Sequence, residues 1–98
     1  MKRFTYQIKD PNGMHARPAG MLATRAKRFQ SEVTVLAGEK KADGKRLLSL
    51  MSLGATYGTE LTFIITGEDE EIAARDLEEF CLAQASDTPH DQKGSERK

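Results

Sequence analysis

In the stretch RFTYQI, Phe4, Tyr6 and Ile8 alternate with Arg3, Thr5 and Gln7, a period of two that predicts a strand with one buried and one wet face. DPNG, Asp10 to Gly13, is dense in turn formers and ends that strand. From Pro18 the period changes. Ala19, Leu22, Ala23, Ala26 and Phe29 recur at helical spacing and predict an amphipathic helix, whose other side carries Arg17, Met21, Thr24, Arg25, Lys27 and Arg28. EVTVLAGEKKA predicts a hairpin, with one strand through Val33 and Val35, a turn near Gly38 and a return strand from Lys40 to Ala42. KRLLSLMSLG predicts about two helical turns stopped by Gly54.

ELTFIITG sets Leu61, Phe63 and Ile65 against Thr62, Ile64 and Thr66 and predicts a further strand. A last helix follows, with Glu68, Asp69, Glu70 and Glu71 in a first turn that favours negative charge and Ala73, Leu77, Phe80 and Cys81 on its core face. After about Ala85, SDTPHDQKGSERK has no large apolar residue and no periodicity. It predicts one domain over residues 1–85 and a disordered tail over 86–98, which contains His90. The order β-α-β-β-α-β-α, without an internal repeat, predicts a two-layer sandwich of helices on one sheet face, the other face open.

Composition narrows the function classes. The 98 residues suit a single core, and 15 basic against 15 acidic side chains leave no overall field to draw nucleic acid or an anionic membrane. Cys81 is the only cysteine, so an internal disulfide and a multi-thiolate metal site are excluded. His15 and His90 make no metal spacing. No signal-like start and no run of about 20 apolar residues is present, so the chain reads as cytoplasmic, without membrane insertion.

The candidate chemistry lies in GMHARPAG, Gly13 to Gly20. A lone polar loop histidine is ordinary, and imidazole is not among the preferred helix caps. Here, however, His15 stands at a predicted helix mouth, where free amides and the helix dipole favour an anion. Pro18 sits in the first turn, where its missing donor costs the helix nothing, and the planar fork of Arg17 matches phosphate oxygens. An imidazole can take a phosphoryl group on nitrogen and hand it on, with the oxygens facing the amides of Ala16 and Arg17.

GMHARPA resembles the active-site motif of the HPr family, the histidine-containing phosphocarriers of the bacterial sugar phosphotransferase system, and MSLGATYGTELTF resembles that family's second signature. The resemblance covers residues 1 to about 85. It implies an α+β, open-faced β-sandwich with a four-stranded antiparallel sheet in the order 1-4-2-3 and three helices on one side. It also implies that His15 is phosphorylated on Nδ1 by enzyme I, that Arg17 steadies the group, and that enzyme IIA domains receive it. No cofactor and no metal is called for, and the carrier is expected to be a monomer, consumed and regenerated rather than an enzyme alone.

Leu47, Leu48, Leu50, Met51 and Leu53 are too many large apolar groups for one buried stripe on a short helix, so some are expected to be exposed. By the resemblance, Leu47, Leu48 and Met51 face partners beside the active site. With them go Arg46 and, from the first helix, Met21, Thr24 and Lys27, with Arg25 and Arg28 meeting acidic rims. The plainer readings, a fully buried second helix and an ordinarily solvated basic face, stay open at this point. Position 46 departs from one branch of the family, where a regulatory serine stands; arginine has no hydroxyl to phosphorylate. Two other functions remain: a regulatory, nitrogen-related phosphotransfer carrier, and a nucleic-acid or anion-binding module, which the zero net charge and six per cent aromatic content disfavour.

Overall fold

The computed structural model describes residues 1–86. β1 (Lys2–Gln7), α1 (Ala16–Ala26), β2 (Glu32–Ala37), β3 (Lys40–Asp43), α2 (Leu47–Met51), β4 (Glu60–Thr66) and α3 (Glu70–Ser86) follow in the expected order. The four strands form one antiparallel sheet in the order β1-β4-β2-β3. The fold is therefore the α+β open-faced sandwich.

Register follows from the period-two pattern. Phe4 pairs with Phe63, Phe63 with Val35 and Val35 with Ala42, so one row of inward side chains crosses all four strands. The rings of Phe4 and Phe63 stack at 4.6 Å between centroids and 7° between planes. A one-residue slip would turn this whole row to water, which is why the apolar face alone specifies the pairing. Against it pack Ala19, Leu22, Ala23 and Ala26 of α1, Leu50 of α2, and Ala73, Leu77, Phe80 and Cys81 of α3, all buried. Burial pushes the Cys81 thiol up to about 12, so it stays protonated and packs as a small apolar group.

The helix boundaries differ from the sequence expectation. α1 ends at Ala26, because the amides of Arg28 and Phe29 bond the carbonyls of Arg25 and Ala26 three residues back and tighten the chain into a turn. Phe29 still packs half-buried against the core. α2 has five residues, shorter than about two turns, with Gly54 at φ +63° closing the turns that follow it.

The acidic run does not fill a helical turn as a block, since α3 begins at Glu70. Asp69 precedes α3 and accepts the amide of Ala73 through its carbonyl. Its carboxylate reaches away, to the backbone N–H groups of Gln30 and Ser31 at 2.9 Å each and to the Ser31 hydroxyl. Ser31 is fully buried, so Asp69 satisfies the polar group that closes the α1–β2 connection. Ser86 is the last residue of α3, and the rest of the expected tail, 87–98 with His90, lies outside the described residues.

Candidate functional site

The site is built on the turn after β1. Buried Ile8 exchanges backbone bonds with the β4 approach, its amide to Thr59 and its carbonyl from Gly58, both 2.9 Å, and so anchors the strand end. Asp10 then organises the turn, its carbonyl accepting the Gly13 amide at 2.9 Å and its Oδ1 the Asn12 amide at 2.8 Å. Gly13 takes φ +69°, and the Met14 amide donates to the Ala55 carbonyl at 3.0 Å, which docks the turn on the loop after α2. Below it, a cavity of about 30 Å³ separates Asp10, Met14 and Pro18 from Phe80, Cys81 and Gln84, so the last turns of α3 floor the loop.

His15 is the N-cap of α1, with extended backbone (φ −88°, ψ −174°), and its side chain makes no capping bond. The first helical bond runs from the Ala19 amide to the His15 carbonyl. Pro18 has no N–H, so the first turn presents the amides of Ala16 and Arg17, which find no acceptor among the described residues. The imidazole instead turns back to the preceding loop, with Nε2 3.2 Å from Oδ2 of Asp10. Nδ1 has no hydrogen-bond partner among the described residues, and neither has the exposed guanidinium of Arg17. The Asn12 amide foremost, and then the His15 ring and the Arg17 charge, hold the Asp10 carboxyl below its usual range.

His15, Ala16 and Arg17 thus stand together as expected, and Asp10 joins them from the turn. In the sequence, Asp10 reads only as a turn former. The available signal was an aspartate opening a turn that ends beside a histidine, but which way its free oxygen points depends on the turn's conformation.

The expected partner-facing residues divide into two helices that touch. Leu47 Cδ1 lies 3.9 Å from where a Cβ on Gly20 would stand, so α2 leans on the middle of α1. Leu48 is 77% exposed, Leu47 and Met51 38% each, and Met21 42%, whereas Leu50 and Leu53 are buried. The five apolar groups split as the excess had implied. Thr24 is exposed on α1, Lys27 closes that helix about 18 Å along its axis from His15, and Arg28 is exposed in the turn that follows. Arg46 is the exposed N-cap of α2 and makes no side-chain cap.

Arg25 departs from the expectation of a free cation. Its Nε and Nη2 donate to Asp76 of α3 at 2.9 and 3.1 Å, and its guanidinium lies 5.5 Å from the Phe80 ring centroid, so it staples α1 to α3.

The geometry is thus a helix mouth with two unused amides beside an imidazole whose Nδ1 is unpartnered among the described residues, carried on an open-faced sandwich. The family model for the PTS HPr component phosphorylation site matches residues 2–82. The phosphocarrier protein HPr of Haemophilus influenzae is 47% identical over 71 residues, 72% of this chain and 84% of that protein. The crystal structure of HPr-C-His from Thermoanaerobacter tengcongensis superposes with a TM-score of 0.83 at 33% identity, covering 89% of this chain and 98% of that one. A crystal structure of an HPr dimer from the same organism gives a TM-score of 0.68 at 34% identity, covering 87% and 98%. The chain belongs to the PTS-HPr family of phosphocarriers.

Proposed function

We propose that His15 is the phosphorylated residue, taking a phosphoryl group on Nδ1 from phospho-enzyme I and passing it to enzyme IIA domains in sugar uptake. The observation that carries this reading is the pairing of Nε2 with Asp10, which leaves Nδ1 as the unoccupied ring nitrogen beside a helix mouth with two unused amides. In transfer, the Nδ1 lone pair forms the bond to phosphorus while the donor's bond breaks, its electron pair leaving on the donor atom. The amides of Ala16 and Arg17 and the Arg17 fork face the phosphoryl oxygens, which are stabilised by the helix dipole as well. Passing the group on reverses these steps, so the chain is a stoichiometric carrier and not an enzyme alone.

Partners dock on Leu47, Leu48, Met51 and Met21, with Arg46, Thr24, Lys27 and Arg28 at the rim. Flexible methionines suit a surface that must fit more than one partner, and rim cations speed encounter without slowing release. The carrier works in the cytoplasm, for which a free, buried thiol is suited. Residues 1–85 are the functional domain, and the working unit is the monomer, because one chain supplies every group named here; sedimentation as a stable dimer would refute that last point.

The deciding experiment incubates the protein with enzyme I and labelled phosphoenolpyruvate. One acid-labile, base-stable phosphate per chain is expected, and none on His15→Ala. Full labelling of His15→Ala overturns the assignment.

A further inference from the structure

We infer that Asp10 is a positioning residue for phosphoryl acceptance: its carboxylate holds the proton of the neutral His15 ring on Nε2 and so keeps the lone pair on Nδ1. The inference rests on the carrier reading above. It stands on how the carboxylate is held. Oδ1 is committed to the Asn12 amide at 2.8 Å and the Asp10 carbonyl to the Gly13 amide at 2.9 Å, so the turn itself aims Oδ2 at Nε2, 3.2 Å away. An ionised carboxylate can only accept, so the ring nitrogen facing it must be the one that donates. A neutral imidazole has one N–H, which leaves its acceptor pair on the other nitrogen.

During transfer, Nδ1 gives that pair to phosphorus, the donor's bond to phosphorus breaks with its electrons, and the ring becomes positively charged while keeping its Nε2 proton. The Asp10 carboxylate opposes that charge. On release, the N–P electrons return to Nδ1 and the proton has not moved. The opposite tautomer would present N–H to phosphorus and have no pair to give.

Substitution separates this role from the turn. In Asp10→Asn the side-chain oxygen still accepts the Asn12 amide, so the turn is retained. The atom facing the ring is then an amide NH2, which donates to Nε2 and drives the ring proton to Nδ1. Asp10→Ala removes both contacts.

The test uses the full chain labelled with 15N at about pH 8, where histidine is neutral. His15→Ala distinguishes the signals of His15 from those of His90. Ring nitrogen shifts report the tautomer, and the initial rate of acceptance from phosphoramidate, a small-molecule donor, reports the nucleophile. Wild type should show the Nε2–H tautomer. Asp10→Asn should shift toward Nδ1–H and slow acceptance by roughly threefold to tenfold, the size of one exposed hydrogen bond. Asp10→Ala should be a tautomeric mixture of intermediate rate. If Asp10→Asn keeps both the wild-type tautomer and the wild-type rate, Asp10 serves only the turn and the inference falls, with the carrier reading intact. If wild-type His15 accepts phosphate neither from phosphoramidate nor from enzyme I, the carrier reading falls, whatever the tautomer.

Discussion

The carbonyl oxygen of Ala55 lies 2.5 Å from where a Cβ on Gly13 would stand, and the Cα of Thr56 lies 2.8 Å away. The loop after α2 is therefore closed against the backbone of the turn that delivers His15, and only glycine fits between them at φ +69°. Gly13→Ala is expected to cost about 2 to 4 kcal/mol, combining left-handed strain with backbone overlap. Thermal or denaturant unfolding measures it. Phosphoryl acceptance should fall as well, because relief requires the His15 loop to lift away from Ala55. A variant as stable as wild type would show that the two loops separate freely.

Arg17 makes no hydrogen bond or ion pair among the described residues, so its removal should leave unfolding within about 0.5 kcal/mol of wild type. Transfer is another matter. Arg17→Ala should slow phosphoryl acceptance by roughly tenfold or more, since in the proposed transfer its charge acts only when the oxygens arrive. Arg17→Lys should recover part of this, having the charge but not the fork. Stopped-flow transfer from phospho-enzyme I gives the rates, and an unchanged rate for Arg17→Ala removes it from the site.

Leu48 and Leu50 are two residues apart with opposite fates, 77% exposed and fully buried. Leu48→Asp should fold normally and weaken binding to enzyme I in titration calorimetry. Leu50→Ala should lower stability by about 2 to 5 kcal/mol while leaving the exposed face of α2 in place. Equal destabilisation by the two substitutions would place the buried stripe of α2 on the wrong side.

Asp69 carries the acid sensitivity of the α1–β2 connection. The Ser31 hydroxyl, and then the amides of Gln30 and Ser31, lower its carboxyl from the ordinary value of 3.8. A folded value below the unfolded one means that the unfolded chain binds the proton more readily. The stabilisation is therefore fully present above the ordinary value and is lost as pH falls through the folded one. Wild type should show falling denaturant midpoints below about pH 4, and Asp69→Asn a lower midpoint at neutral pH with a shallower acid decline. Parallel acid limbs in the two proteins would exclude Asp69 as the titrating group.

Local patterning was sufficient for much of this protein. Strict alternation in RFTYQI and ELTFIITG declares which side chains face inward, because strand geometry sends neighbours to opposite faces. Helical spacing from Ala19 to Ala26 does the same for α1. His15, Ala16 and Arg17 could be placed at a helix mouth because they are contiguous, and the surplus of leucines in α2 announced exposed ones. Three-dimensional contact decided the rest. The strand order β1-β4-β2-β3 depends on which inward rows pack best together, which no single segment encodes. Arg25 reads like any solvated cation until α3 brings Asp76 and Phe80 beneath it from more than fifty positions away. Asp69 reads as one of four acids at a helix start, yet burial of Ser31 draws its carboxylate to another loop. Asp10 reads as a turn former, and its second oxygen gained a role only when that turn, seated on Ala55, turned it toward the imidazole. In each case the residue type and its local element are properties of a few neighbouring positions. The partner of a charged group is set by distance in the folded chain, and that distance does not exist until the layers pack.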